Sequence, residues 1–115
     1  NFWYPSCGPC RLEMPHLQES SERRKADGIQ FIGVQSLTFL DTPEDGQEFI
    51  DEIGVTYPVL IDPDGSVFFG YKSNRLNTPP YTVFLGKSHE VLRTWDGTLT
   101  VDKMDELFQE HGLLP

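Results

Sequence analysis

Cys7 and Cys10, in the run NFWYPSCGPCRLEMPH, are the chain's only two cysteines, and their spacing limits the chemistry open to them. As a structural clip the pair is poorly placed. A bond between them closes a loop of about four residues, for which chain entropy gives about 2 kcal/mol, against about 4.7 for a loop of about a hundred. As a metal site the pair is short of ligands, because zinc takes four, there is no second Cys pair, and His16 brings the nearby donors only to three. No metal is expected. As a redox pair the cysteines need a setting that favours thiolate over thiol. A Cys where a strand hands over to a helix has one, since it faces unpaired N–H groups and the positive end of the helix dipole.

The periodicity of the chain supplies that hand-over. CRLEMPHLQESSERRKA reads as a helix with Cys10, Met14, Leu17 and Ser21 on one stripe, a kink at Pro15 and Gly28 as its stop. IQFIGV (29–34) has the pattern of a strand buried inside a sheet. Thr42, Pro43, two acidic residues and Gly54 mark the start and end of a second helix. YPVLI (57–61) is a further strand, closed by the turn DPDG, where Asp62 and Asp64 read as turn residues rather than a cation loop. SVFFGYK is a short helix or turn, YTVFLG (81–86) and EVLRTW (90–95) form a hairpin, and Thr100 caps a last helix with Val101, Met104, Leu107, Phe108 and His111 on one side.

This order of elements implies right-handed crossovers over a parallel core, with antiparallel strands added by the hairpin. The fold class is α/β, a central mixed β-sheet flanked by helices on both faces, with residues 1–115 as a single domain. NFW supplies only the end of a first strand, so that strand is expected to be truncated.

Composition excludes other classes. With 37% hydrophobic and 23% charged residues the chain suits one ordinary core. Its net charge of −9 opposes phosphate backbones and anionic lipid, so no nucleic-acid partner is expected. The cluster Arg23-Arg24-Lys25 shares a helical pattern with Glu19 and Glu22 and reads as a solvated face. No apolar run approaches the ~18 residues of a membrane span, and no signal-peptide pattern opens the chain, which reads as a soluble, processed segment.

NFW…CGPCRLEMPHL, YPVLIDPDG and PPYTVFL together resemble the thioredoxin superfamily, and within it the TlpA/ResA-like extracytoplasmic thiol–disulfide oxidoreductases, over essentially the whole chain. The resemblance implies a thioredoxin-like fold with Cys7 as the exposed attacking thiol and Cys10, one turn deeper, as the resolving one. Positions i and i+3 of a helix lie within reach of each other. It also implies a cis-proline opposite the dithiol, which register with the following strand places at Pro80. The residue before it, Pro79, would meet an extended substrate with a C=O but no N–H.

Against the family pattern, Ser6 stands where an aromatic residue usually precedes the first Cys, which makes the rim smaller and more polar. Asn1 stands where thioredoxins proper carry a buried Asp, and it exchanges no proton. Glu13, i+3 from Cys10, matches an acidic position common in the TlpA-like branch and is assigned as proton acceptor for Cys10. Trp3, Ser6, Gly8, Pro9, Pro79 and Pro80 are the expected substrate-binding residues, Trp3 serving core and platform at once. His16, His89 and His111 are read as surface or helix-end residues.

The function expected is disulfide reduction or exchange on exported, disulfide-containing proteins. An upstream dithiol would donate the electrons, without a cofactor, in an extracytoplasmic setting (periplasmic, or tethered to a membrane by a segment outside this chain). The alternatives are a non-catalytic thioredoxin-like module of a larger protein and a peroxiredoxin-type peroxidase. Peroxiredoxins carry Thr three residues before the peroxidatic Cys, where this chain has Tyr4.

Overall fold

The computed structural model describes residues 1–38 and 40–115. Along the chain run β1 (Phe2–Trp3), α1 (Gly8–Arg24), a 3-10 turn (Lys25–Asp27), β2 (Gly33–Ser36), α2 (Pro43–Ile53), β3 (Val59–Asp62), α3 (Ser66–Tyr71), β4 (Tyr81–Leu85), β5 (Val91–Asp96) and α4 (Val101–Glu110). They build a five-stranded mixed sheet in the order β3-β2-β1-β4-β5, parallel across β1, β2 and β3 and antiparallel at β4 and β5.

The alternation of β1 divides the core. Trp3 faces α1 and α2, clustering with Cys7, Cys10, Met14 and Phe49. Phe2 faces the other way, 5.1 Å from the Phe68 ring and 6.2 Å from the Tyr71 ring of α3. A second cluster joins Leu17 of α1, Phe84 of β4 and Met104, Leu107 and Phe108 of α4. The dithiol segment is thus gripped between the sheet and α2, while α4 holds the far half of α1.

Local signals account for most element ends. Thr42 caps α2 in a full capping box with Asp45, and Gly54 ends it in the left-handed conformation at φ 79°. Thr100 caps α4 by accepting the Lys103 N–H at 3.2 Å. Asp62, 1% exposed, accepts the Val67 and Phe68 N–H groups at 3.2 and 2.9 Å and so fixes the start of α3. This is the turn role its sequence context suggests.

Three expectations need correction. The strand expected at 29–34 begins only at Gly33, where the ladder to Val59 of β3 starts, and Ile32 before it is 48% exposed. The α1 stripe ends on Ser20, not Ser21, since 3.6 residues per turn carries the buried face from Leu17 to Ser20, and Ser21 bonds the Gln18 carbonyl instead. The basic cluster is a solvated face as expected, with Arg23 and Lys25 exposed, and it also carries ion pairs. Arg24 pairs with Asp105 at 2.9 Å and Asp27 at 3.1 Å, and Arg23 with Asp105 at 3.5 Å, tying α1 to α4. Through Pro15 the helix runs on unbroken.

Candidate active site around Cys7 and Cys10

The chain leaves β1 at Trp3, turns over Tyr4–Ser6 and enters α1, so that Cys7 is the N-cap residue of the helix. Pro9 within the first turn lacks the N–H that would there be unpaired anyway, which suits it to a helix start. Cys7 and Cys10 are joined by a disulfide, with Cα atoms 5.2 Å apart. The Cys10 N–H donates to Cys7 Sγ at 3.2 Å. Cys7 Sγ therefore stands where a side-chain oxygen stands in an ordinary N-cap, at the positive end of a helix of 17 residues. In the reduced protein the same position stabilises a thiolate.

Access is narrower than expected. Cys7 is 4% exposed and Cys10 1%, because Sγ of Cys7 is bonded inward to Cys10 while the Pro79 carbonyl oxygen lies 3.9 Å away. The exposed rim consists of Ser6, Gly8 and Pro9, with Pro79 half-buried beside it. The Pro79–Pro80 peptide is cis. Pro80 itself is buried and its carbonyl accepts the Gly97 N–H at 2.9 Å, so it offers no docking surface.

Trp3 does not serve as a platform either. At 0% exposure, with its ring 6.1 Å from that of Phe49, it forms the floor beneath the dithiol. A residue of the parallel core strand that packs under α1 has no path to the surface.

Glu13 is fully buried, at 0% exposure. Its Oε2 accepts the Leu99 N–H at 2.7 Å and its Oε1 the Asn1 side-chain amide at 2.8 Å, which in turn donates to Thr82 Oγ1 at 3.0 Å. Burial pushes its pKa up to about 6, against the pull of the Leu99 and Asn1 hydrogen bonds. A solvated helix charge would show none of this. Both oxygens point at N–H donors, and no hydrogen bond joins them to a sulfur among the described residues.

Several contributors carry no sequence signal. Asp41, in the loop between β2 and α2, accepts the Ser6 N–H and hydroxyl at 3.2 and 2.7 Å. Arg11 donates to the Pro5 carbonyl at 3.2 Å and lies 4.0 Å from the centre of the Phe49 ring. Buried Asn77 gathers the loop before Pro79, accepting from the Ser73 N–H, the Ser73 hydroxyl and the Asn74 N–H at 2.8 to 2.9 Å while donating to Asp96 at 2.7 Å. Asp41 reaches Ser6 across 35 residues and Asn77 reaches Asp96 across 19, whereas Arg11 is a cation next in sequence to Cys10.

A five-stranded mixed sheet, a dithiol at the N-cap of the helix that follows a central strand, and a proline loop against the first sulfur define a thioredoxin-like protein. The chain belongs to the AhpC/TSA family, whose model matches residues 1–94. Thiol-disulfide oxidoreductase ResA of Oceanobacillus iheyensis is 34% identical over 105 residues, covering 91% of this chain and 52% of that protein. Sporulation thiol-disulfide oxidoreductase A of Bacillus subtilis is 24% identical over 110 residues, covering 96% of this chain and 65% of that one. The chain thus spans about half of the first relative's length and under two thirds of the second's. Among solved structures, a thiol:disulfide interchange protein of the thioredoxin family from Chlorobium tepidum superposes with a TM-score of 0.82 at 20% identity, over 96% of this chain and 76% of that one. StoA of Bacillus subtilis gives 0.78 at 24%, over 91% and 76%. At such identities these two bear on the fold.

Proposed function

We propose that this chain is a thiol–disulfide oxidoreductase acting on disulfide-containing proteins outside the cytoplasm. The observation that carries the reading is Cys7 Sγ held as the N-cap acceptor of the Cys10 N–H at 3.2 Å, with the partner sulfur one turn deeper in the same helix. The name of the 34% identical relative agrees with it.

In the reductive direction the Cys7 thiolate attacks one sulfur of a substrate disulfide. That S–S bond breaks, a Cys7–substrate disulfide forms, and the released substrate thiolate takes up a proton. Cys10 then gives its proton to Glu13, directly or through one intervening water, and its thiolate attacks Cys7 Sγ. The Cys7–substrate bond breaks, the second substrate sulfur leaves as a thiolate that takes up a proton, and the Cys7–Cys10 disulfide is restored. Two electrons have passed to the substrate, and an upstream dithiol supplies two to reset the pair. Ser6, Gly8, Pro9 and Pro79 form the rim the substrate meets. The extracytoplasmic setting rests on the resemblance and on the chemistry, since protein disulfides persist in oxidising compartments.

The test is reduction of insulin disulfides by the chain with dithiothreitol as donor, alongside titration of the Cys7–Cys10 couple against glutathione. Catalysed precipitation of insulin, lost on Cys7→Ser, is the expected result. A chain with no activity in either direction is a binding module instead, and single-turnover consumption of peroxide without disulfide exchange makes it a peroxidase. In intact cells of the source, labelling of the reduced cysteines by a membrane-impermeant thiol reagent is expected, and complete protection overturns the location.

A further inference from the structure

We infer that Asp41 is a positioning residue for the reaction of Cys7, acting through Ser6; this rests on the reading of Cys7 as the attacking thiol. The turn that delivers Cys7 is held by several hydrogen bonds on its main chain and on the Ser6 side chain. The Cys7 N–H donates to the Tyr4 carbonyl at 3.0 Å, the Pro5 carbonyl accepts from Arg11 at 3.2 Å, and the Ser6 N–H and hydroxyl both donate to Asp41 Oδ2 at 3.2 and 2.7 Å. That same oxygen takes a third hydrogen bond from the Thr38 hydroxyl at 3.1 Å, and Thr38 Oγ1 accepts the Leu40 N–H at 3.1 Å. Asp41 directly precedes Thr42, the N-cap residue of α2, whose capping box makes that end of the loop rigid. Ser6 is therefore fastened to a helix end, not to a loose loop.

Fixing the residue before an N-cap fixes the cap. Cys7 sits at φ −79° and ψ 106°, the extended conformation that turns Sγ back onto the Cys10 N–H. Hydrogen bonds to a carboxylate are roughly twice as strong as neutral ones, so the two Ser6 bonds are well suited to hold that conformation when the disulfide no longer does.

The carboxylate has two effects of opposite sign on Cys7. Through space it disfavours a nearby thiolate. Through the clasp it keeps Sγ at the helix N-terminus, which favours the thiolate. Ser6 is exposed, and salt screens charge effects at such a site while leaving the geometry in place, so the clasp is the larger effect. Other titratable or charged groups on the elements around Cys7 include Tyr4 in its own turn, Arg11 and buried Glu13 in the first half of α1, the exposed carboxylates of Glu44, Asp45 and Glu48 on α2, and buried Tyr81 beyond the proline loop. None of them bonds Ser6.

The experiment follows the pH dependence of iodoacetamide alkylation at Cys7 in the reduced chain, read by mass spectrometry at low and high salt. The proteins compared are the wild type, Ser6→Ala, Asp41→Ala, Asp41→Asn and the Ser6→Ala/Asp41→Ala pair. Asp41→Ala is expected to raise the Cys7 pKa and slow alkylation at neutral pH by about fivefold, the size of an ordinary helix-terminus effect, at both salt concentrations. Ser6→Ala gives a smaller change of the same sign. The double variant is no slower than Asp41→Ala, because the two residues act as one unit. Asp41→Asn, which keeps an acceptor in place, recovers part of the loss. A lowered pKa in Asp41→Ala, an unchanged profile, or additive effects overturn the inference. Should Asp41→Ala fail to fold by circular dichroism, the sign of the Ser6→Ala shift decides. Failure of the wild type to reduce insulin, with these shifts present, removes the enzymatic reading and leaves the clasp standing. Insulin reduction with no shift does the reverse.

Discussion

The Leu99 N–H donates to Glu13 Oε2 at 2.7 Å across 86 residues of chain, tying the turn before α4 to the helix that carries the dithiol. A carboxylate at 0% exposure costs free energy when ionised, and two N–H donors offset only part of that cost. The balance shows in a pKa raised from 4.5 to about 6. The native state thus binds the proton more tightly than the unfolded chain. Below about pH 4.5 both states are protonated and nothing is lost, whereas between 4.5 and 6 stability falls as pH rises. The loss is complete above 6, at about 2 kcal/mol for the shift from 4.5 to about 6.

Glu13→Gln removes that titration. If the Asn1 amide turns over, the Gln side chain still accepts from Leu99 and donates to Asn1, so the fold survives. In the oxidised protein, urea unfolding from pH 4 to 8 is expected to show the variant gaining about 2 kcal/mol on the wild type across that window. A constant difference between the two over that range refutes the buried-charge account. In the reduced protein the variant is expected to turn over more slowly with a changed pH profile, and an unchanged profile removes Glu13 from the proton path.

The order of attack is tested by trapping. Cys10→Ser leaves Cys7 at the N-cap and is expected to accumulate a mixed disulfide with substrate. Cys7→Ser leaves only the deeper thiol, 1% exposed in the oxidised structure, and should accumulate almost none. Mass spectrometry of both variants after incubation with a peptide disulfide decides, and equal trapping reverses the assignment.

What could be read in advance was what depends on neighbours in sequence. The Thr42 and Thr100 caps, the Gly54 stop, the N-cap cysteine and the turn role of Asp62 are local chemistry, and the chain spells them out. Strand limits were less legible because they depend on a partner. Gly33 opens β2 by pairing with Val59, and nothing in IQFIGV marks that residue as the first of the strand. Trp3 reads from sequence as a core residue that could double as a platform, and only the packing of α1 and α2 over it leaves it the core role alone. Ser6 and Asp41 lie 35 residues apart, and no periodicity brings a loop carboxylate to a serine. Glu13 is legible through the family pattern and its i+3 spacing from Cys10, while its partner Leu99 lies 86 residues further along the chain.

Gly46 is a close-approach position rather than a flexible one. A Cβ there would fall on the Gln35 side-chain amide, which is 1% exposed and donates to the Thr42 carbonyl at 3.1 Å. Gly46→Ala gains about 1 kcal/mol of helix propensity but must expel Gln35, with overpacking costs of about 1–3 kcal/mol and a lost hydrogen bond of about 1. The expected net result is a lower urea midpoint, restored in part by adding Gln35→Ala. A midpoint that rises on Gly46→Ala alone contradicts the packing argument.

The last prediction concerns Pro79, whose carbonyl oxygen lies 3.9 Å from Cys7 Sγ. A substrate strand passing the sulfur in an extended conformation would pair with the main chain of residue 79, as one more strand pairs with a sheet edge. Such pairing uses one C=O and one N–H, and a proline has only the first. The missing bond is worth about 0.5–1.5 kcal/mol net, so the wild-type chain is expected to hold peptides weakly and permissively, with selection left to Ser6, Gly8 and Pro9. Pro79→Thr supplies the donor, and a bond in that range corresponds to affinity higher by about two- to twelvefold. Binding of a cysteine-to-serine substrate peptide to the oxidised protein, measured by calorimetry for both forms, makes the comparison without the chemistry intervening. A Pro79→Thr protein that folds as the wild type does and binds the peptide no more tightly would show that the substrate does not pair with this loop, and exposed Thr78 would become the position to vary.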